Sequence, residues 1–166
     1  MFETERLVVF PLTAKELDAL LNRRSDFEES TGYSYDGELM EGILYHIFSG
    51  RVNVLKDPSK NLHFYTMWVY ALKSTKTIIG SISCKNAPSD SEDIEIGYGI
   101  NLKYERQGYT TEAVSVLSEW ILQQDGVKTV IAEIEKENTA SRRVAQKCNM
   151  MKYQTVGNDE WYRLVK

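Results

Sequence analysis

The sequence predicts a mixed α/β layer fold built on one sheet, formed as one domain over residues 1–166. Three observations lead there. Segments of apolar period two and of period 3.6 follow one another in the order β-α-α-β-β-β-α-β-α-β-β. At 166 residues the chain has the length of one domain, and such a domain buries about 68–70% of the surface its unfolded chain exposes. No repeat, low-complexity tract or linker divides it.

Arg6 to Phe10 reads as a short first strand closed by Pro11. Thr13 with Glu16 three residues on forms a capping box ahead of the stripe Leu17, Leu20 and Leu21, a first helix. Residues 25–37, with two glycines and many polar groups, read as loop. Asp36 is placed to cap a second helix with Met40, Ile43, Leu44, Ile47 and Phe48 at helical spacing and Gly50 as its stop. Residues 51–62 read as a connection. His63 to Leu72 and Thr77 to Cys84 form a hairpin about a turn at Lys73 to Lys76. After a polar loop, Ile94 to Leu102 is a third strand of this group. From Gly108 a helix runs on Ala113, Val114, Val116, Leu117, Trp120 and Ile121 and stops at Asp125-Gly126. Thr129 to Ile134 is a β-branched strand. Asn138 caps a last helix with Ala140, Val144, Ala145 and Cys148 inward, and two strands around Gly157-Asn158-Asp159 close the chain.

The chemistry centres on Tyr104-Glu105-Arg106-Gln107-Gly108-Tyr109-Thr110-Thr111. A strand entering a helix through a glycine turn leaves backbone N–H groups without intrahelical partners, at the positive end of the helix dipole, a seat for an anion. Other chemistries are disfavoured. Leu102 stands where a dinucleotide fingerprint starting at Gly97 needs its third glycine, and no Gly-Lys-Ser/Thr phosphate loop exists. His46 and His63 have no partner at metal-ligand spacing, so no metal is expected. The net charge of −4 argues against nucleic acid, and no apolar run reaches membrane-spanning length. Cys84 and Cys148 read as reduced thiols, and the N-terminus lacks a signal-peptide pattern, which together suggest a cytoplasmic protein. Between Ser25 and Gly50 lie six carboxylates and no Lys or Arg. They form either a solvated helix face or an acidic, aromatic-lined wall that favours a cationic ligand.

With these residues in view, the chain resembles the GNAT N-acetyltransferase superfamily, in particular its ribosomal-protein N-terminal acetyltransferase-like branch. The resemblance spans nearly the whole chain through Thr4-Glu5-Arg6-Leu7, Ile79-Gly80-Ser81-Ile82, Glu95-Ile96-Gly97-Tyr98 and the Asn138-Thr139-Ala140-Ser141-Arg142-Arg143-Val144…Lys147 helix start. It implies an α+β fold with a mixed, mainly antiparallel sheet flanked by helices. It implies acetyl transfer from acetyl-CoA to a primary amine by direct attack in a ternary complex, without a metal. The pyrophosphate of coenzyme A would rest on backbone N–H groups of Arg106, Gln107, Gly108, Tyr109, Thr110 and Thr111. A main-chain N–H among Ile100, Asn101 and Leu102 would polarise the thioester carbonyl. Glu95 would take the amine's proton through water, Asn138 would contact the cofactor arm, and Ser141 would protonate the leaving thiolate, Ala145 standing where many relatives carry Tyr. Glu105 and Thr110 depart from the loop pattern, and with Ala145 they motivate a rival reading, a catalytically weak acyl-CoA-binding regulatory module. The expected acceptor is a peptide N-terminus or a small cationic amine, with Glu28, Glu29, Asp36 and Glu38 as its acidic wall. A homodimer is open to such a chain.

Overall fold

The computed structural model describes residues 1–38 and 40–166. Strands β1 (Phe2–Glu3), β2 (Leu7–Pro11), β4 (Met67–Leu72), β5 (Thr77–Cys84), β6 (Asp93–Ile100), β7 (Thr129–Glu135), β9 (Asp159–Val165) and β8 (Met151–Val156) lie side by side in that order, and β3 (Ser34–Tyr35) pairs with the start of β5. All pairings are antiparallel except β6 with β7 and β3 with β5. This is the mixed, mainly antiparallel sheet flanked by helices that the sequence resemblance implies.

Alternation along the strands divides the core between the two faces of the sheet. Trp68 and Tyr70 of β4 join the cluster under α5 (Tyr109–Leu122) and α6 (Thr139–Lys147). Met67, Val69 and Ala71 join the cluster under α1 (Ala14–Asn22), α2 (Arg24–Thr31) and α3 (Gly42–Val54). The predicted capping box forms at Thr13 and Glu16, and Asn138 caps α6 by accepting from the Ser141 N–H at 3.0 Å.

Four expectations are corrected. Residues 25–37 are not all loop. Phe27 is fully buried and anchors α2, while the Glu28 carboxylate accepts from the Tyr35 N–H at 2.8 Å and fixes β3. Long-range packing thus overrides a weakly apolar local sequence.

Asp36 does not cap α3, whose N-cap is Glu41, with no side-chain bond. Nor does α3 stop at Gly50. The burial of Phe48 and Val52 on either side of it carries the helix to Val54, against a glycine cost of about 1 kcal/mol. Of the residues read at helical spacing, Phe48 is buried, whereas Ile43, Leu44 and Ile47 are 76%, 54% and 46% exposed. Thirdly, Leu62–Tyr65 forms a helical turn (α4) capped by Asn61, so the strand starts at Met67 rather than His63. Lastly, Ala140 lies exposed at the start of α6.

Candidate functional site

The site begins where two central strands part. β6 pairs with β7 only through Asp93, Ile94 and Glu95, whereas its pairing with β5 continues to Ile100. The Lys85 N–H donates to the Glu95 carbonyl at 2.7 Å and the Asn101 N–H to the Ile79 carbonyl at 2.9 Å. Antiparallel alternation then points the backbone groups of Ile96, Tyr98 and Ile100 away from β5, into the gap beside β7. Of the three predicted oxyanion donors, Asn101 is therefore engaged with Ile79, and Ile100 has the N–H that faces the gap. Two cavities, of about 730 and 740 Å³, open on opposite sides of this segment and share Tyr98, Gly99 and Ile100 as a common wall.

The first cavity is closed by the start of α5. After a 3-10 turn at Leu102–Tyr104, the chain takes left-handed conformations at Arg106 (φ 62°) and Gly108 (φ 84°), the second of which favours glycine. Among the described residues, no backbone N–H from Arg106 to Thr111 finds a backbone acceptor. The loop is held from below by Arg6. Its guanidinium donates to the Gln107 carbonyl (2.9 Å) and the Glu112 carboxylate (Nε–Oε2 2.8 Å), and lies 4.4 Å from the centre of the Tyr109 ring. Glu112 also accepts from the Arg6 N–H (2.9 Å) and the Thr4 hydroxyl. Burial pushes the Glu112 carboxyl up, but the Thr4 hydroxyl and the Arg6 amide and guanidinium outweigh it and hold its pKa below the ordinary value.

Both off-pattern loop residues leave the backbone open. Thr110 is buried, and its hydroxyl turns inward to meet the Tyr70 hydroxyl at 3.2 Å. That phenol reaches the Gly99 carbonyl at 2.7 Å by passing over Gly80, where a Cβ would stand 2.1 Å from the phenol oxygen and 2.6 Å from the Gly99 carbonyl oxygen. Gly80 is thus required by close approach. Glu105 is exposed on the cavity rim, where Arg106, Arg143 and Lys147 supply three cations against its one carboxylate. The cavity also includes Asn138 and Ser141. The Tyr98 hydroxyl donates to the Ser141 carbonyl at 2.8 Å, tying the wall of the gap to the first turn of α6. Burial raises the Tyr98 pKa, so the phenol keeps its proton at neutral pH. Ala145 is fully buried and serves the core.

The second cavity lies on the α3 side. Gly97 and Gly99 form its floor, and a Cβ at either would meet nothing within 4 Å, so a bare track runs along β6 from Glu95 to Ile100. The Glu95 carboxylate is ion-paired with Lys85, which lines the cavity and also approaches Glu133 at 3.5 Å. Glu95 itself lines neither cavity. At one end, Asp36 is fixed by Lys103, by the Tyr104 hydroxyl (2.8 Å) and by the Asn101 side chain on its carbonyl. Lys103 first and then Tyr104 lower the Asp36 pKa by hydrogen bonding to its carboxylate. At the other end stands Arg51, donating to the carbonyls of Cys84 (2.7 Å) and Thr66 (3.4 Å).

Of the predicted cofactor residues, Ile100, Arg106, Gly108, Tyr109, Thr110, Thr111, Asn138 and Ser141 line the first cavity, while Asn101 and Leu102 line the second. Gln107 lines neither, its carbonyl being held by Arg6. Of the predicted acidic wall only Glu38 reaches the second cavity, joined by Glu41. Glu28 is engaged with Tyr35 and Asp36 with Lys103, which removes the basis for a broad acidic wall. Sequence reasoning missed Arg51, Tyr98 and the Arg6–Glu112 pair as site residues. Only for Arg51 did a local signal exist, a cation three residues after Phe48 on one helix face.

A family model for an acetyltransferase (GNAT) domain matches residues 6–151. The chain is 26% identical over 153 residues to a Bacillus subtilis (strain 168) protein named uncharacterized N-acetyltransferase YoaA, covering 92% of this chain and 83% of that one. A ribosomal-protein-S5-alanine acetyltransferase from Vibrio fischeri has a similar fold, with a TM-score of 0.68 at 18% identity over 99% of this chain and 95% of the other. The Campylobacter jejuni N-acetyltransferase PseH in complex with acetyl coenzyme A gives a TM-score of 0.61 at 14% identity, covering 96% and 99%.

Proposed function

The chain belongs to the acetyltransferase (GNAT) family, whose members move an acetyl group from acetyl-CoA to an amine, and on that premise we propose how its own residues do so. The observation that carries the reading is the wall shared by the two cavities, Tyr98-Gly99-Ile100, which lets a cofactor arm and an acceptor meet without an acyl-enzyme. Acetyl-CoA supplies an activated thioester. The free amides from Arg106 to Thr111, the helix dipole of α5 and the cations Arg106, Arg143 and Lys147 suit its phosphates. The Ile100 N–H, aimed into the gap, stabilises the oxyanion that develops on the acyl carbonyl.

The acceptor is a primary amine entering from the second cavity. Glu95 lies five residues from Ile100, roughly 16 Å along the strand and too far for a single bridging water, so it receives the amine's proton only through a relay of several waters along the bare track over Gly97 and Gly99. An α-amino group, with an ordinary pKa of about 7.7–8.0, needs little such help, which favours a peptide N-terminus or similar amine over a lysine side chain. The Ser141 hydroxyl, half-buried in the first cavity, is the proposed donor to the leaving thiolate.

The test is thiol release from acetyl-CoA in the presence of a broad panel of primary amines, with mass spectrometry of the products. Amine-dependent release with acetylated product is the expected result. Saturating acetyl-CoA that gives neither a thermal shift nor thiol release with any amine sinks the reading.

A further inference from the structure

The second cavity holds a cation with no acidic partner. Arg51, on α3, is half-buried and both of its observed hydrogen bonds go to neutral carbonyls, those of Cys84 and Thr66. No carboxylate of the described residues lies within ion-pair distance of it. A guanidinium carries five N–H donors in a planar fork suited to a carboxylate, so donors remain for a ligand. A partly desolvated cation kept without a counter-ion is costly unless a ligand supplies one. Burial accordingly lowers the Arg51 pKa, although the group stays charged.

The acids of the cavity stand elsewhere. Glu41 precedes Arg51 by ten residues at the head of the same helix, roughly 15 Å away along its axis. Glu38 follows Asp36 and Gly37, which are tied to Asn101 and Arg24 beside the end of β6. The cavity is therefore polarised. Its acidic end adjoins Ile100, where the amine must arrive, and its basic end adjoins Cys84, which pairs with Ile96. Ile96 and Ile100 are four residues apart, roughly 13 Å along the strand.

We propose that Arg51 binds an anionic group, a carboxylate, on the acceptor, so that the acceptor is an amine with a carboxylate two or three extended residues away. The reach of the guanidinium shortens the span to roughly 10 Å, the length of about three extended residues. The acidic end holds the ammonium before it loses its proton, and Arg51 sets the register. This inference rests on the proposed acceptor role of the second cavity and narrows the expected acceptor, a peptide N-terminus or a small cationic amine, to an amine that also carries an acid.

The experiment measures calorimetric affinities of four peptide amides for protein saturated with coenzyme A. They are Ala-Ala-Asp and Ala-Ala-Ala-Asp, each with its Asn counterpart, all C-terminally amidated so that one carboxylate at most is present. In the wild-type protein at least one Asp peptide binds about tenfold to a hundredfold more tightly than its Asn partner. Arg51→Met abolishes the difference, and Arg51→Lys keeps part of it. Equal affinities within both pairs, no measurable binding of any peptide, or a preference that survives Arg51→Met overturns the proposal. The wild-type comparison stands even where a variant folds poorly. Acid-selective binding without acetyl transfer would sink the catalytic reading and leave this one, whereas transfer without selectivity would do the reverse.

Discussion

Glu112→Ala is the perturbation that most directly loads the loop at the start of α5. Glu112 accepts from the Thr4 hydroxyl and the Arg6 N–H, and pairs with the Arg6 guanidinium at 2.7 Å. Arg6 in turn holds the Gln107 carbonyl, so the loss propagates to the segment that presents its amides to the first cavity. Charge-assisted hydrogen bonds contribute about 1.5–3 kcal/mol when shielded. The Arg6 side chain is 41% exposed and that of Glu112 17%, so solvent screening reduces the expected loss to about 1–2 kcal/mol. For a chain of this size that corresponds to a fall in Tm of about 2–8 °C. If the loop must be re-ordered on binding, acetyl-CoA affinity drops by about fivefold to thirtyfold. Thermal melts and calorimetry on the same samples read both quantities. An unchanged acetyl-CoA affinity alongside a lowered Tm would refute the coupling between Arg6 and the loop, and no change in either would refute the buttress itself.

Four further outcomes follow from the same geometry. Gly80→Ala forces a methyl against Tyr70 and the Gly99 carbonyl, which should cost about 1–3 kcal/mol or more and lower the melting temperature accordingly; an alanine variant as stable as the parent would contradict the close approach. Thr110→Ala removes the 3.2 Å contact with Tyr70 and one buried methyl, so stability should fall by about 1–2.5 kcal/mol while the KM for acetyl-CoA stays within about twofold. Glu95→Gln should lower kcat by about a hundredfold with little change in either KM, and a steady-state comparison showing unaltered kcat removes Glu95 as proton acceptor. Because folding lowers the Glu112 pKa, its contribution is complete above the ordinary carboxylate value and disappears as pH falls through the folded one. The difference in Tm between wild type and Glu112→Gln should therefore hold from pH 7 into the mildly acid range and close below it.

What could be read in the sequence was what local chemistry decides. The Thr13–Glu16 box, the Asn138 cap, the helix after Gly108 and the β-branched strand at Thr129 all formed, since caps, periodicity and turn residues act over a few positions. The acidic segment was misread because its structure is set from a distance. Phe27 is placed by the core beneath α1, and Asp36 is claimed by Lys103 and Tyr104 nearly seventy residues later. The same holds at the site. The glycine turn into α5 was legible in the strand-glycine-helix order, yet the means by which Thr110 fits it was not. Nothing near Thr110 in sequence reveals that Tyr70 and Gly80, from two other strands, take in its hydroxyl. Arg51 escaped notice because a helix expected to stop at Gly50 continues past it.

The proposed seat of the coenzyme A phosphates at the start of α5 is open to amide-resolved NMR titration with coenzyme A and with ADP. Both ligands should shift the backbone N–H signals of Arg106 to Thr111 most strongly, with the signals of Tyr98 and Ile100 responding to coenzyme A alone. Largest shifts on β8 or on α3, with the amides of 106–111 unmoved, would contradict it.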